Sequence, residues 1–170
     1  MDKNEALAYK NSGQQNLNKG SFDPAIEDYT QAIKLNPDDA ELYYCRAAAY
    51  NVKGVKRDDI PSLDLAIGDL TQALKLNPNF TEVYSARGGV YFIKGEHDRA
   101  LDDFNRALQF NPGDSFVYFD RGCTYIIKNE YERGIKDLET SLRINPDNPQ
   151  ARAHLEMARK MQEIQNRKED

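Results

Sequence analysis

The stretch SLDLAIGDLTQALKLNP at residues 62–78 repeats SFDPAIEDYTQAIKLNP at residues 21–37, with 12 of the 17 positions identical. Both copies end in Leu-Asn-Pro, and similar endings return twice more, as Phe-Asn-Pro and Ile-Asn-Pro. The prolines of these four endings are 41, 34 and 34 residues apart. A period of this length indicates a solenoid of repeated supersecondary units.

Small and large apolar residues return in step within each period, at spacings that place them along one side of a helix. Small residues on facing sides let two helices approach closely, and large side chains fill the gaps beside them. The proline ends the second helix, since it cannot continue the hydrogen-bond ladder of the preceding turn. Each period is therefore predicted to be a helical hairpin that stacks on its neighbour. The small positions are Gly13, Ala47, Gly88 and Gly122 on the first helix and Ala25, Ala66, Ala100 and Gly134 on the second.

This pattern resembles that of the tetratricopeptide repeat family over residues 6–148, which is 143 of the 170 residues. The resemblance implies an all-α fold, a right-handed superhelical solenoid of antiparallel helix pairs whose first helices line a concave groove. The first unit departs most from the family, with Ser12 and Asn16 where leucine and tyrosine are usual. The units are predicted at residues 6–39, 40–80, 81–114 and 115–148.

A further helix is predicted after the fourth unit, over residues 149–166. Asn148 and Pro149 have the residue types of an N-cap and a first-turn proline. An apolar stripe follows at Ala151, Leu155 and Ala158. This cap helix would close the open end of a single domain that spans residues 1–170.

Seven residues interrupt the period in the second unit, between Gly54 and Ser62. The inserted segment, Val-Lys-Arg-Asp-Asp-Ile-Pro at residues 55–61, stands where Gly20 meets Ser21 directly in the first unit. It is predicted to protrude as a mobile loop or, where it is ordered, to add a turn to a flanking helix. Two roles stay open: a tolerated surface insertion, since longer loops cost little entropy, and a loop that contacts a partner.

Composition argues against several classes of protein. Hydrophobic residues make up 39% of the chain and charged residues 30%. The net charge of the chain is −5, and acidic and basic residues are mixed along its whole length. The sequence contains no block of basic residues that would predict a nucleic-acid partner. It also contains no apolar run of the roughly 20 residues that a membrane span needs. Cys45 and Cys123 do not describe a disulfide framework, and no apolar export signal opens the chain. The expectation is a reduced cytoplasmic protein with neither a nucleic-acid nor a membrane partner.

Residues that could carry catalysis or hold a metal are sparse. The two histidines are His97, which occupies a packing slot of the repeat, and His154, on the cap helix. No glycine-rich phosphate loop, HExxH or CxxC motif is present. The chain is therefore predicted not to be an enzyme and to have no catalytic, cofactor-binding or metal-binding residues.

Arginine and aspartate also recur in register with the fold, and a charge repeated in this way predicts ion pairs of the scaffold. Arg46 could pair with Asp69 of its own unit or with Asp28 of the previous one, and the sequence leaves both open. The recurring residues are Arg46, Arg87 and Arg121 at one position and Asp28, Asp69, Asp103 and Asp137 at the other.

The carboxylate clamp of the family is predicted to be absent. In co-chaperones of the family, lysine, asparagine and arginine side chains on the first helices hold the acidic C-terminal tail of heat-shock chaperones. Only Lys10 matches these positions, and Glu82 would repel an acidic tail. We therefore expect no tight binding of a peptide that ends in EEVD. Counted from the first unit, the corresponding residues are Lys10, Gln14, Cys45, Glu82 and Ala86, and counted from the second unit none matches.

The groove positions grade from polar in the first unit to strongly apolar in the fourth. Phe92, Phe116 and Phe119 are predicted to form an exposed apolar patch of the kind that marks a partner site. The alternative is that the cap helix covers them through three side chains, Met157, Met161 and Ile164. The predicted partner-binding residues are Lys10, Gln14, Tyr44, Phe92, Phe116, Phe119, Cys123, Ile126 and Ile127.

The function implied by the resemblance is that of an interaction scaffold. It would bind an apolar or amphipathic peptide or helix of another protein in its groove, without a carboxylate clamp. The alternative is a structural protein that forms a homo-oligomer through the ends of the solenoid or through the groove. A generic scaffold does not reveal its partner, because fold does not fix function.

Overall fold

The computed structural model describes residues 3–169, and within that range every regular element is a helix. The helices group into two compact units, each larger than one repeat of the sequence. The first unit consists of the residues up to Val90 and the second of those from Tyr91 onward. A single domain over residues 1–170 stays a prediction, and its terminal residues Met1, Asp2 and Asp170 lie outside the described range. The helices are α1 Lys3–Asn18, α2 Phe22–Leu35, α3 Ala40–Arg57, α4 Ile60–Leu76, α5 Thr81–Ile93, α6 His97–Phe110, α7 Ser115–Ile127, α8 Tyr131–Ile144 and α9 Pro149–Glu169.

The first unit contains the hairpins α1–α2 and α3–α4, and its small residues allow their close approach. A Cβ atom on Gly13 would lie 2.9 Å from the ring of Tyr29, which is itself fully buried. Ala25 and Ala66, on the second helices, are fully buried as well. The small positions predicted from the sequence are therefore the contact surfaces between helices. The hydrophobic core of this unit contains a cluster of eight buried residues, Ala47, Leu63, Ala66, Leu70, Ala73, Leu74, Val83 and Val90.

In the second unit, α7 and α8 approach each other most closely where both carry glycine. A Cβ atom on Gly134 would lie 2.9 Å from the carbonyl oxygen of Gly122 and 2.7 Å from Cγ1 of Ile126. Helix α9 packs on this pair through the predicted stripe, whose three residues are buried together with Ile126 and Leu138. The stripe consists of Ala151, Leu155 and Ala158.

Helix α9 begins where the sequence predicts its N-cap. The Asn148 side chain accepts a hydrogen bond from the backbone N–H of Ala151 at 3.0 Å. The helix runs to Glu169, beyond the predicted end at residue 166. The last residues, Arg-Lys-Glu, are good helix formers with no breaker among them, which accounts for the extension.

The tight turns between paired helices use the left-handed backbone region. Gly20 and Gly95 have φ angles of 75° and 76°, and Asn129 fills the equivalent position with a φ of 61°. In the second repeat Gly54 is helical instead, and Asp58 has the positive φ of 52°. The insertion has therefore moved the left-handed residue four positions along the chain.

The inserted segment is helical, so the prediction of a protruding loop is wrong and the alternative of an added helical turn is confirmed. Residues 55–57 extend α3 by a turn, and Ile60 and Pro61 open α4. Only Asp58 and Asp59 lie between the two helices. The Asp59 side chain accepts hydrogen bonds from the backbone N–H and the hydroxyl of Ser62, at 3.4 and 2.6 Å. An N-cap aspartate followed by a first-turn proline is a start signal for a helix, and this explains the outcome.

The added turn of α3 packs on the start of α2. Arg57 donates a hydrogen bond to Asp23 at 3.1 Å, and Lys53 forms an ion pair with the same carboxylate at 2.8 Å. The charged groups of Lys56 and Arg57 lie 5.8 and 5.6 Å from the centre of the Phe22 ring. The insertion is thus part of the packed body of the first unit.

Candidate functional site

The recurring arginines hold the scaffold together. Arg46 donates to both carboxylate oxygens of Asp69, at 2.8 and 2.7 Å, and Arg121 does the same to Asp137, at 2.7 and 2.8 Å. Both pairs join the two helices of one hairpin, which settles the alternative that the sequence left open. Asp28, the other candidate for Arg46, accepts hydrogen bonds from Ser12 and Asn16 instead.

The same arginines also reach the preceding hairpin. Arg46 donates to the hydroxyl of Thr30 at 3.0 Å, and Arg121 donates to the side-chain oxygen of Asn105 at 2.7 Å. Each guanidinium therefore uses its donors on neighbouring helices. This arrangement stabilises the stacking of repeats and makes these arginines poor candidates for a binding site.

The predicted site residues of the first helix are engaged by the protein itself. Lys10 forms an ion pair with Glu41 at 2.6 Å. Gln14 donates to Asn18 at 3.0 Å and accepts a long hydrogen bond of 3.4 Å from the Tyr29 hydroxyl. These residues do not join the apolar members of the predicted site.

Tyr44 lies at a small cavity of about 150 Å³ in the first unit, which Ala48 and Asn51 also line. Its ring packs against Phe80 with 5.3 Å between ring centres, and burial raises the pKa of its hydroxyl. The side-chain oxygen of Asn51 is buried and accepts no hydrogen bond from the described residues. This cavity is too small for more than one side chain of a ligand.

A larger cavity of about 360 Å³ opens in the second unit and contains five of the predicted site residues. Helix α7 supplies one wall and α9 the other. We name it the α7–α9 cavity. Phe116 is 68% exposed and does not line it, so the predicted three-phenylalanine patch is divided. The lining residues are Phe92, Phe119, Asp120, Cys123, Ile126, Ile127, Gln150, His154 and Met157.

Helix α9 borders this cavity without closing it. The His154 ring meets the Phe119 ring edge-on, with 5.3 Å between centres and an interplanar angle of 88°. Of the three side chains predicted to cover the phenylalanines, only Met157 lines the cavity. Met161 and Ile164 border a different pocket, beside Tyr131. The alternative of a three-residue cover is therefore not what the structure shows, because Met161 and Ile164 lie one and two turns further along α9, beyond the cavity.

One charged group stands in this apolar setting, the carboxylate of Asp120. Burial raises its pKa to about 6, and the nearby charge of Asp114 acts in the same direction. No residue that the structure describes donates a hydrogen bond or forms an ion pair with this carboxylate. Burial also raises the pKa of the Cys123 thiol to about 12, so that thiol is uncharged at neutral pH.

Four cavity residues were missed as site residues in the sequence: Asp120, Gln150, His154 and Met157. The last three repeat at i, i+4 and i+7, beside the buried stripe of α9. That spacing marks a second face of the helix and could have indicated them. Asp120 directly follows Phe119 on the groove side of α7. Its position beside a predicted site residue could have indicated that it also lines the cavity.

Two absences within the described range have a bearing on function. No helix among residues 3–169 combines the length and the apolar character that crossing a bilayer requires. Within the same range, no three side chains of the histidine, cysteine, aspartate and glutamate types gather as ligands for a metal ion.

Comparison with known proteins supports the repeat architecture. A family model described as TPR repeat matches residues 13–54, and two models described as tetratricopeptide repeat match residues 81–114 and 117–148. Many solved structures share the fold. MamA from Desulfovibrio magneticus RS-1 superposes with a TM-score of 0.83 at 21% identity, over 96% of this chain and 87% of that one.

Two further similar structures are of proteins described as having a peptide-binding site or as bound to a peptide. YrrB, described as a TPR protein with an unusual peptide-binding site, has a TM-score of 0.74 and 25% identity, over 90% of this chain and 75% of its own. The first TPR of Spaghetti, bound to the HSP90 peptide SRMEEVD, has a TM-score of 0.67 and 26% identity. It is matched over 76% of this chain and 99% of its own. Together these similarities confirm the predicted fold class, an all-α helical-repeat superhelix.

Proposed function

Because the chain belongs to the tetratricopeptide repeat family, we propose that it is a non-enzymatic scaffold that binds a peptide or helix of another protein. The observation that carries the proposal is the open α7–α9 cavity of about 360 Å³. Its volume lies within the usual range for ligand sites, and its walls are mainly apolar. The binding segment would place one or two large apolar side chains against Phe119 and Ile127.

The walls of the cavity combine a fixed part with an accessible part. Phe119 packs against the buried cluster of α7, α8 and α9, so its ring has a defined position. Ile127 is 51% exposed and Met157 is 41% exposed at the rim. Rigid aromatic anchors surrounded by accessible apolar side chains are typical of binding hot spots. The peptide-binding proteins among the similar structures add support to the proposal.

We further propose that an acidic C-terminal tail is not the ligand. Lys10, the single residue that matches a carboxylate clamp, is paired with Glu41. Cys45 and Glu82 occupy two further clamp positions, and neither side chain can supply a positive charge. The location of the protein in the cytoplasm stays a prediction from the sequence.

Affinity capture from lysate of the source cells tests the function, with the variant Phe119→Ser beside the wild type. A partner recovered by the wild type should be lost by the variant. Because Phe119 also packs on the core, Ile127→Ser serves as a second variant that changes an exposed side chain of the same cavity. The matched control is Ile144→Ser, at a 39% exposed isoleucine of α8 outside the cavity. Retention of the partner by both cavity variants would refute the proposal.

Self-assembly is the second candidate, and Phe116 favours it. This ring is 68% exposed and lies outside the cavity, so it is accessible to another copy. Light scattering across a range of concentrations distinguishes the two functions. A mass that rises with concentration in the wild type, and not in Phe116→Ser, would favour the homo-oligomer.

A further inference from the structure

We infer that the partner segment carries a basic side chain, lysine or arginine, among its apolar ones, and that Asp120 receives it in the α7–α9 cavity. This inference rests on the proposed function, since it specifies the ligand of the same cavity. It concerns which peptides the scaffold selects.

The first step is that the protein supplies no cation to Asp120. Arg121, the next residue along α7, is committed to Asp137 and Asn105. His154 lies across the cavity and donates from Nδ1 to the carbonyl oxygen of Gln150 at 2.9 Å, and the structure shows no hydrogen bond or charge contact from its ring to Asp120. The Asp120 carboxylate therefore has no partner among the described residues.

The second step is that the surroundings make an unpaired carboxylate unfavourable. The remaining wall residues are mainly aromatic, aliphatic or sulfur-containing. Burial raises the pKa of Asp120 to about 6, and a negative charge at neutral pH is therefore held at a cost in free energy. A cation that enters with the ligand removes this cost, whereas a second negative charge would add to it.

The third step is that lysine and arginine fit both parts of the cavity. Their apolar stems can lie along Phe119 and Ile127 while the charged head reaches the carboxylate. A purely apolar side chain would fill the same volume and leave the charge of Asp120 more deeply buried than before. The cavity thus discriminates among apolar segments by the presence of one basic residue.

The test is selection of binders from a random 12-residue peptide library displayed on phage, against immobilised wild type and three variants. The variants are Asp120→Asn, Ile127→Ser and the control Asp102→Asn, at an exposed aspartate of α6 in the same unit. Wild type and Asp102→Asn should both enrich peptides in which lysine or arginine stands among apolar residues. Asp120→Asn should keep the apolar preference and lose the basic one.

A second measurement quantifies the contact with one enriched peptide and its lysine-to-glutamine or arginine-to-glutamine analogue. Fluorescence anisotropy should show that the change in the peptide and Asp120→Asn each weaken binding roughly tenfold, as expected for a hydrogen-bonded charge pair. Combining both changes should weaken it by little more than either one alone. Asp102→Asn should leave the affinity within about twofold of the wild type.

The outcomes separate the inference from the function beneath it. Apolar peptides that bind wild type and Asp120→Asn equally, and depend on Ile127, would overturn the inference and leave the proposed function standing. Additive losses in the anisotropy cycle would also overturn the inference, because the two charges would then act independently. If no peptide is enriched, or if enrichment does not depend on Ile127, the proposed function fails and the inference fails with it.

Discussion

At the scale of single residues, the bidentate pairs between arginine and aspartate are the most consequential contacts of the scaffold. The Asp137 side chain is only 8% exposed, so loss of Arg121 would leave a buried carboxylate without its cation. Arg121→Ala is therefore expected to lower the free energy of unfolding by about 3 kcal/mol. Urea denaturation followed by circular dichroism measures this change.

Two variants make the Arg121 experiment specific. The control is Arg106→Ala, because Arg106 is exposed and bonds to Gln109 on its own helix. Adding Asp137→Ala to Arg121→Ala should recover part of the loss, since the unpaired charge is removed. A loss below about 1 kcal/mol for Arg121→Ala would show that the pair behaves like an exposed salt bridge.

Asp120 provides a prediction about pH. Its pKa rises from 3.8 to about 6 in the folded protein, so the folded state holds the proton more tightly than the unfolded state. The contribution of Asp120 to stability therefore becomes less favourable as the pH rises from about 4 to 6, and it is constant above that window. Asp120→Asn should be more stable than wild type by about 2 kcal/mol at pH 8 and equally stable below pH 4. Thermal unfolding at the two pH values measures the difference, and an equal gain at both would show that burial of the charged carboxylate is not the cause.

The sequence predicts some residues of the site and leaves others out for physical reasons. Phe119 and Ile127 could be located because the repeat assigns each position of α7 to a face. The role of His154 could not, because α9 has no counterpart in the other units with which to compare it. The pairing of Arg46 was open because two aspartates occupy equivalent positions on neighbouring hairpins, and the contact depends on how closely the helices pack.

At the scale of helices, the insertion shows how capping residues decide between loop and helix. The Asp-Ile-Pro-Ser sequence at residues 59–62 starts α4, and the segment before it continues α3. Periodicity predicts where the insertion lies, but it cannot specify the form of residues that have no equivalent in the other units. Deletion of residues 55–61 is expected to lower stability, because the added turn contacts α2.

The contact between the insertion and α2 can be tested without deleting it. Lys56→Ala combined with Arg57→Ala should destabilise the folded protein, through loss of the cation–π contacts with Phe22 and the ion pair with Asp23. Thermal unfolding should show a midpoint lower by several degrees. Lys19→Ala, at an exposed lysine of the same unit, is the control. An unchanged midpoint in the double variant would show that the contacts between the insertion and α2 do not contribute to stability.

At the scale of the whole molecule, the fold was predictable because the period, the small residues and the terminal prolines repeat together. Ligand preference was harder to predict, since it depends on a few side chains that break the repeat. The absence of a carboxylate clamp is a property of this kind.

Labelled SRMEEVD peptide should show no submicromolar binding in fluorescence anisotropy, because Lys10 is paired with Glu41 and the other clamp positions carry no cation. Submicromolar binding that is lost when the peptide carries a C-terminal amide would contradict this expectation.

The most direct test of the central claim is site-specific photo-crosslinking to the partner recovered by affinity capture. A photoreactive phenylalanine analogue replaces Ile127 at the rim of the α7–α9 cavity in one protein and Ile144 outside it in another. Both isoleucines are partly exposed, at 51% and 39%, so the probe is accessible in each case. We predict a crosslink to the partner from position 127 and none from position 144. A crosslink from position 144 alone would contradict the account and place the partner on another surface.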